Sequence, residues 1–326
     1  MSVAYDKIRN RAGLVDLENW VRFEVTGPDA VDALDSVVGG NVLDLFEGKA
    51  MNTLIPSLDG GVQAILWLIA TETGFLVVAE PEEAAPVAEV LGELAESFDI
   101  AVANQADTQF HMVLTGPEAE AMAEAALGDD IPSIAFLNAF DLPSGVTAAR
   151  IGFFGEYELH LFGATEAKAE TMAALTAEGG EEIITDQSAF PVMMAEMRIL
   201  NRARDIADEA SVFDAGLQWM IDFPKDNLRG AEALNARRDE ASRSCVLMVV
   251  DGDAATGALD VDGETVGEIR SAYASETLGK TVALAYIDAD LAVPGLVLGS
   301  SFGVAETVSA PAFLSKSVTN ALGQAA

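Results

Sequence analysis

Cysteine is almost absent from this chain. The single residue, Cys245, excludes an internal disulfide framework and fits a reducing, cytoplasmic setting. Histidine is nearly as scarce. His111 and His160 stand on strand-like segments with no ligand-spaced Cys, His or acid beside them, so no metal site is expected. Cations are few: 18 Lys and Arg face 53 Asp and Glu, for a net charge of −35. That balance argues against a nucleic-acid partner, whose phosphates need a basic face, and disfavours anionic membrane surfaces. Long hydrophobic runs are missing too. The longest, "AILWLIA" (64–70), falls far short of a membrane span, and the opening "MSVAYDKIRNRAG" has no apolar signal region. No Walker loop or Gly-x-Gly-x-x-Gly turn follows a strand.

What is present supports a large folded core. Half of the 326 residues are hydrophobic, and the length suggests two or three units. The acids are spread along the chain, a pattern that suits solubility in a salty medium, where screening offsets self-repulsion. Against that background one cluster stands out: seven of the 12 arginines lie between Arg198 and Arg243. Within "AEMRILNRARDI" (195–206), Arg198 and Arg202 are spaced to share a face of a helix expected over 188–206. Like charges so placed repel unless an anion or acid lies between them.

An internal echo organises the first two-thirds. "RFEVTGPDAVDAL" (22–34) and "HMVLTGPEAEAMAEA" (111–125) share a β-type run, then Thr-Gly-Pro, an acid and a helical pattern, 89 residues apart. Proline's fixed φ suits a helix start, and an acid in the first turn complements the helix dipole. Strand-like runs and a helix (82–98, 165–177) follow each copy. The expected fold is therefore α+β, with related units at 20–105 and 106–180, a connecting portion 181–240, and a β-rich barrel at 241–326.

These segments resemble, in order, the glycine-cleavage T-protein family of tetrahydrofolate-dependent aminomethyltransferases and their demethylase relatives. The similar pieces are "VTGPDAVDAL", "LDGGV" (58–62), "LTGPEAEAM", "RIGFFGEYELHL" (150–161), "DAGLQWMIDFPKDNLRGAEAL" (214–234) and "VGEIRSAYASETLGKTVALAYI" (266–287). The resemblance implies a duplicated α+β folate-binding region around a central channel, closed by a C-terminal β-barrel. It implies tetrahydrofolate as cofactor and a small methylated substrate as partner. Aligned on the family's Arg-Leu-Glu-Ala-Gly segment, Glu196 falls on the glutamate that reads the pterin's amide and amino edge; an exposed or salt-bridged helix glutamate is the alternative. Arg198, Arg229 and the other arginines up to Arg243, with Lys225, become candidates for the folate's carboxylate tail. Trp219 is a candidate for stacking on a flat ligand or for the core.

The reactive end departs from the family pattern. The resemblance places an aspartate after the Gly-Gly turn, where this chain has Ala64 and Ile65, and a tyrosine where it has Asn52. Neither Ala64 nor Ile65 can carry a proton or balance a charge, so the catalytic group is left unassigned. Methyl transfer from an activated O-, S- or N-methyl donor leans less on that acid and is the leading reading. A non-catalytic folate-binding or regulatory protein and an atypical aminomethyltransferase are the alternatives. The iron–sulfur-maintenance relatives carry a cysteine motif that "PKDNLRGAEAL" lacks.

Overall fold

The computed structural model describes residues 3–179, 184, 186–253 and 255–324. The expected boundary at 180–181 lies outside them. Helix α1 (Val3–Asn10) and strand β1 (Gly13–Asp16) precede a first unit of β2 (Val21–Thr26), α2 (Ala30–Asp35), β3 (Ala50–Pro56), β4 (Val62–Ala70), β5 (Gly74–Ala79), α3 (Ala84–Ser97) and β6 (Ala101–Asn104). The second unit repeats the plan with β7 (Gln109–Thr115), α4 (Ala119–Leu127), β8 (Ala139–Asp141), β9 (Thr147–Ala149), β10 (Glu158–Ala164) and α5 (Lys168–Gly179).

Strand order makes the duplication visible. One sheet runs β3-β4-β5-β2-β6, and the other, read in the same sense, runs β8-β9-β10-β7-β1. Four strands occupy equivalent places; the fifth comes from the end of the first unit in one sheet and from the N-terminus in the other. The two Thr-Gly-Pro turns do the same job in each. Gly27 and Gly116 sit at φ 122° and 130°, and a Cβ on either would lie 2.5 Å from a backbone oxygen, that of Asp99 or of Arg11. Positive φ and close backbone approach together leave room for glycine alone.

The sheets pack face to face. Trp67, Ile69 and Val78 of one meet Val113, Ala149 and Phe162 of the other, with Met193 and Met194 closing the same core. Their outer faces are covered by α2 and α3 on one side and α4 and α5 on the other. Beyond them come α6 (Phe190–Met197), α7 (Arg202–Asp205) and α8 (Ala231–Glu240). A closed barrel follows, made of β11 (Arg243–Val250), β12 (Gly257–Val261), β13 (Glu264–Ser275), β14 (Lys280–Asp288), β15 (Val297–Ser300) and β16 (Gly303–Val308), and α9 (Lys316–Gln324) returns to the body. Among the described residues no helix is long and apolar enough to cross a membrane.

Two local expectations are corrected. The helix expected over 188–206 breaks at Arg198, which takes a left-handed conformation (φ 57°) and caps α6. Arg198 and Arg202 therefore do not share a helix face. The strand read in "TAARIGFFG" stops at Ala149, because the amides of Phe153 and Phe154 turn instead to the Glu158 carboxylate at 2.9 and 2.6 Å.

The two histidines, which looked isolated in sequence, meet across β7 and β10. His111 Nε2 lies 2.9 Å from His160 Nδ1, and both rings are wholly buried. His160 Nε2 faces Glu158 at 3.9 Å. That acid favours the proton on His160 Nε2, leaving His111 Nε2–H to donate to His160 Nδ1; neither His160 Nε2 nor His111 Nδ1 has a hydrogen-bond partner. Burial, with His160 and Arg22 nearby, holds His111 well below the ordinary imidazole range. Below about pH 6.5 the unfolded chain takes up a proton that the folded chain refuses, so this group's stabilising contribution is lost on acidification. Replacing His111→Leu should flatten the variant's stability relative to the parent between pH 6.5 and 5, as read by urea midpoints. Parallel profiles would contradict the assignment.

Candidate functional site

The site is a slot where the first unit, the second unit and the connecting portion meet. Asn52 of β3 and Ile65, Leu66 and Trp67 of β4 form one wall, continued by Ala79 and Glu80 at the end of β5. Gly152 and Phe153 close it from the second unit, and Arg198, Leu200, Leu217, Trp219 and Met220 from the connection. The slot spans about 560 Å³, part of it open to solvent. Three aromatic side chains, Trp67, Phe153 and Trp219, contribute to its lining. Phe153 meets Trp67 edge-on, with ring centroids 5.8 Å apart. Trp219 is 62% exposed at the mouth, so it is a ring at the slot rather than a core residue.

Three of the residues singled out from sequence, Asn52, Arg198 and Trp219, line this slot together with Ile65. Two do not. Arg229 points outward, paired with Glu93 at 2.5 Å. Glu196 is fully buried and its carboxylate is already occupied. It accepts from Tyr5 Oη at 2.5 Å, Ser275 Oγ at 2.6 Å and Arg9 Nη2 at 2.6 Å. It faces α1 and the barrel and does not line the slot.

The other cations of the cluster are similarly employed. Arg198 donates to the carbonyls of Cys245 and Ala215, and Arg202 to that of Val62. Lys225 donates to the Val38 and Gly40 carbonyls, 3.0 Å from Asp35. Much of the 198–242 connection is irregular, so many backbone oxygens there and along its track lack ladder partners, and guanidinium and ammonium groups supply them. Arg204, Arg229 and Arg243 pair with acids instead, Glu80, Glu93 and Asp288, so these cations serve carbonyls and carboxylates of the chain itself.

Glu80 is the one acid lining the slot. Its side chain is 13% exposed, and Oε2 lies 3.3 Å from Arg204 Nη2, whose Nη1 reaches Glu82 at 3.6 Å. Burial pushes Glu80 up to about 7, with Arg204 pulling the other way. Glu83, 2% exposed, is also pushed to about 7, by burial and then by the charge of Glu80; one of its oxygens has no partner. Sequence reading passed over Glu80, although one signal was present: an acid closing the otherwise apolar strand "GFLVVAE", directly before Pro81. The single thiol, Cys245, is buried and pushed up to about 11 by burial, so it offers no nucleophile here.

Residues 3–225 match the GCVT N-terminal domain family, and residues 243–310 match the glycine cleavage T-protein C-terminal barrel domain family. This chain belongs to the glycine-cleavage T-protein family. An aminomethyltransferase of Streptomyces avermitilis is 31% identical over 306 residues, covering 88% of this chain and 81% of the relative. One from Thermotoga maritima is 27% identical over 318 residues, covering 93% and 85%. In fold, the chain is similar to the glycine cleavage system aminomethyltransferase T from Bartonella henselae, at a TM-score of 0.86 over 96% of this chain and 89% of that one, with 21% identity. Membership in this transferase family sharpens the contrast at β4, where Ala64 is buried and Ile65 presents only carbon to the slot.

Proposed function

We propose that the protein is a tetrahydrofolate-dependent one-carbon transferase that holds the reduced pterin in this slot and accepts a methyl group from a small O-, S- or N-methyl donor. One observation carries the reading. Family membership coincides with an aromatic-walled slot bearing a single acid, Glu80, at its edge. Trp67 and Phe153 would flank the ring, and Trp219 would cover it. Trp219, 62% exposed at the mouth, is accessible to an entering ligand. When bound, tetrahydrofolate supplies the nitrogen that receives the one-carbon unit; the chain's residues position it, exclude water and balance charge.

The demethylase reading is favoured by the apolar Ala64 and Ile65. A donor whose leaving group is already good asks mainly for alignment. Aminomethyl transfer is the second reading, supported by the names its relatives carry.

Adding tetrahydrofolate at a hundred times its dissociation constant should stabilise the protein by about 2.7 kcal/mol and raise its thermal midpoint accordingly. Trp219→Ala should weaken binding about tenfold, the loss of one stacked ring. An unchanged affinity in that variant would remove Trp219 from the site. Release of a methylated pterin on addition of candidate donors separates a transferase from a silent binder.

A further inference from the structure

We propose that Glu80 is the carboxylate that accepts from the reacting nitrogens of the bound pterin and balances the positive charge developing there, taking over from β5 the place that β4 leaves apolar. The inference rests on the folate reading of the slot.

Register supplies the first argument. β4 and β5 pair antiparallel with Trp67 opposite Val78 and Leu68 opposite Val77. Continuing that ladder two residues sets Glu80 opposite Ile65, and both line the slot. A carboxylate one strand over thus projects toward the region where the acid at Ile65 is missing. No other acid lines the slot, so the choice of group is narrow.

The surroundings supply the second. Arg204 of α7 lies behind Glu80 at 3.3 Å, fixing the carboxylate, and its other arm reaches Glu82. Glu83, a residue of the same turn, is buried beside it with one oxygen unpartnered, and Arg202 acts on Glu83 from the connection. On the slot side the only other charged residue is Arg198, whose donors go to the carbonyls of Cys245 and Ala215. Glu80 therefore shares Arg204 with Glu82 and has a second buried carboxylate, Glu83, in the same turn. Such an environment opposes full ionisation until a cationic or N–H-rich ligand arrives. Burial first, and neighbouring carboxylates second, push both Glu80 and Glu83 up to about 7, so ligand binding and proton release are coupled at ordinary pH.

The test is tetrahydrofolate affinity between pH 5.5 and 8.5 for the parent, Glu80→Gln and Glu80→Asp, measured by calorimetry. The parent should lose affinity as pH falls through about 7, approaching tenfold per unit on the acid side. Glu80→Gln should bind roughly ten- to a hundredfold more weakly at pH 8, with a flattened profile. Glu80→Asp, which keeps the charge on a shorter arm, should keep the pH dependence at reduced affinity. Thermal unfolding without ligand confirms that each variant is folded. Equal affinity and an identical pH profile in the parent and Glu80→Gln would overturn the assignment of Glu80. Absence of saturable binding by the parent at every pH would overturn the folate reading itself.

Discussion

Replacing Arg9 with alanine is expected to destabilise the fold by about 3–5 kcal/mol, the cost of leaving buried carboxylates without their cation. Arg9 is 3% exposed and lies between two acids, Glu196 at 2.6 Å and Glu156 at 3.5 Å; it also donates to the Phe154 carbonyl. Each acid ties in another part of the chain. Glu196 receives Tyr5 of α1 and Ser275 of β13, while Glu156 receives the backbone N–H and hydroxyl of Ser317 in α9. One guanidinium thus joins the N-terminal helix, the end of α6, the barrel and the C-terminal helix. Urea unfolding should show the loss, and Glu196→Gln in the Arg9→Ala background should recover part of it by removing a stranded charge. A loss under 1 kcal/mol in Arg9→Ala would refute this account of Glu196 as a structural acid. If the variant folds, its tetrahydrofolate affinity should stay within a few fold of the parent, because Glu196 does not face the slot.

The second large effect has the opposite sign. Glu83→Gln should stabilise the protein at pH 8 by on the order of 2 kcal/mol, since a buried carboxylate pushed to about 7 must ionise there at a cost. The folded chain holds the proton more tightly than the unfolded chain does. The group's contribution is therefore fully present below the unfolded value, about pH 4.5, and is lost as pH rises through 7. At pH 4.5 the variant and parent should differ little; at pH 8 they should differ most. This dependence runs counter to that of His111, so each is read as a difference between variant and parent and not from the parent's profile. Equal stabilities at pH 8 would show that Glu83 is solvated or paired in solution.

Much of the architecture was legible because it repeats. Thr-Gly-Pro recurs with the same spacing, and Gly27 and Gly116 meet the same steric demand, so a duplicated unit could be read before strand order was known. The barrel was legible from short β-type runs divided by Gly, Asp and Pro. The site was only partly so. Trp219 belongs to a segment that carries the resemblance and Asn52 marks a departure from it, and both line the slot. Glu196 looked like a ligand group because an alignment gives a position and not a direction. Its partner Arg9 is 187 residues away, a separation that no local pattern spans. Glu80 was missed for the complementary reason: a single acid among 53 carries no local mark, and its meaning lies in a cross-strand neighbour. The histidines show the same limit, since nothing short of strand pairing sets His111 beside His160. The helix break at Arg198 was hidden because the residues on both sides have good helical propensity and no glycine announces the left-handed cap.

The central claim is that the slot among Trp67, Phe153 and Trp219 holds a reduced folate. A calorimetric titration of the full chain with tetrahydrofolate at pH 8, followed in parallel by tryptophan emission, tests it most directly. The account predicts saturable binding at one site per chain, with emission quenched as the pterin enters between Trp67 and Trp219. Heats no larger than dilution, with emission unchanged at millimolar ligand, would contradict it.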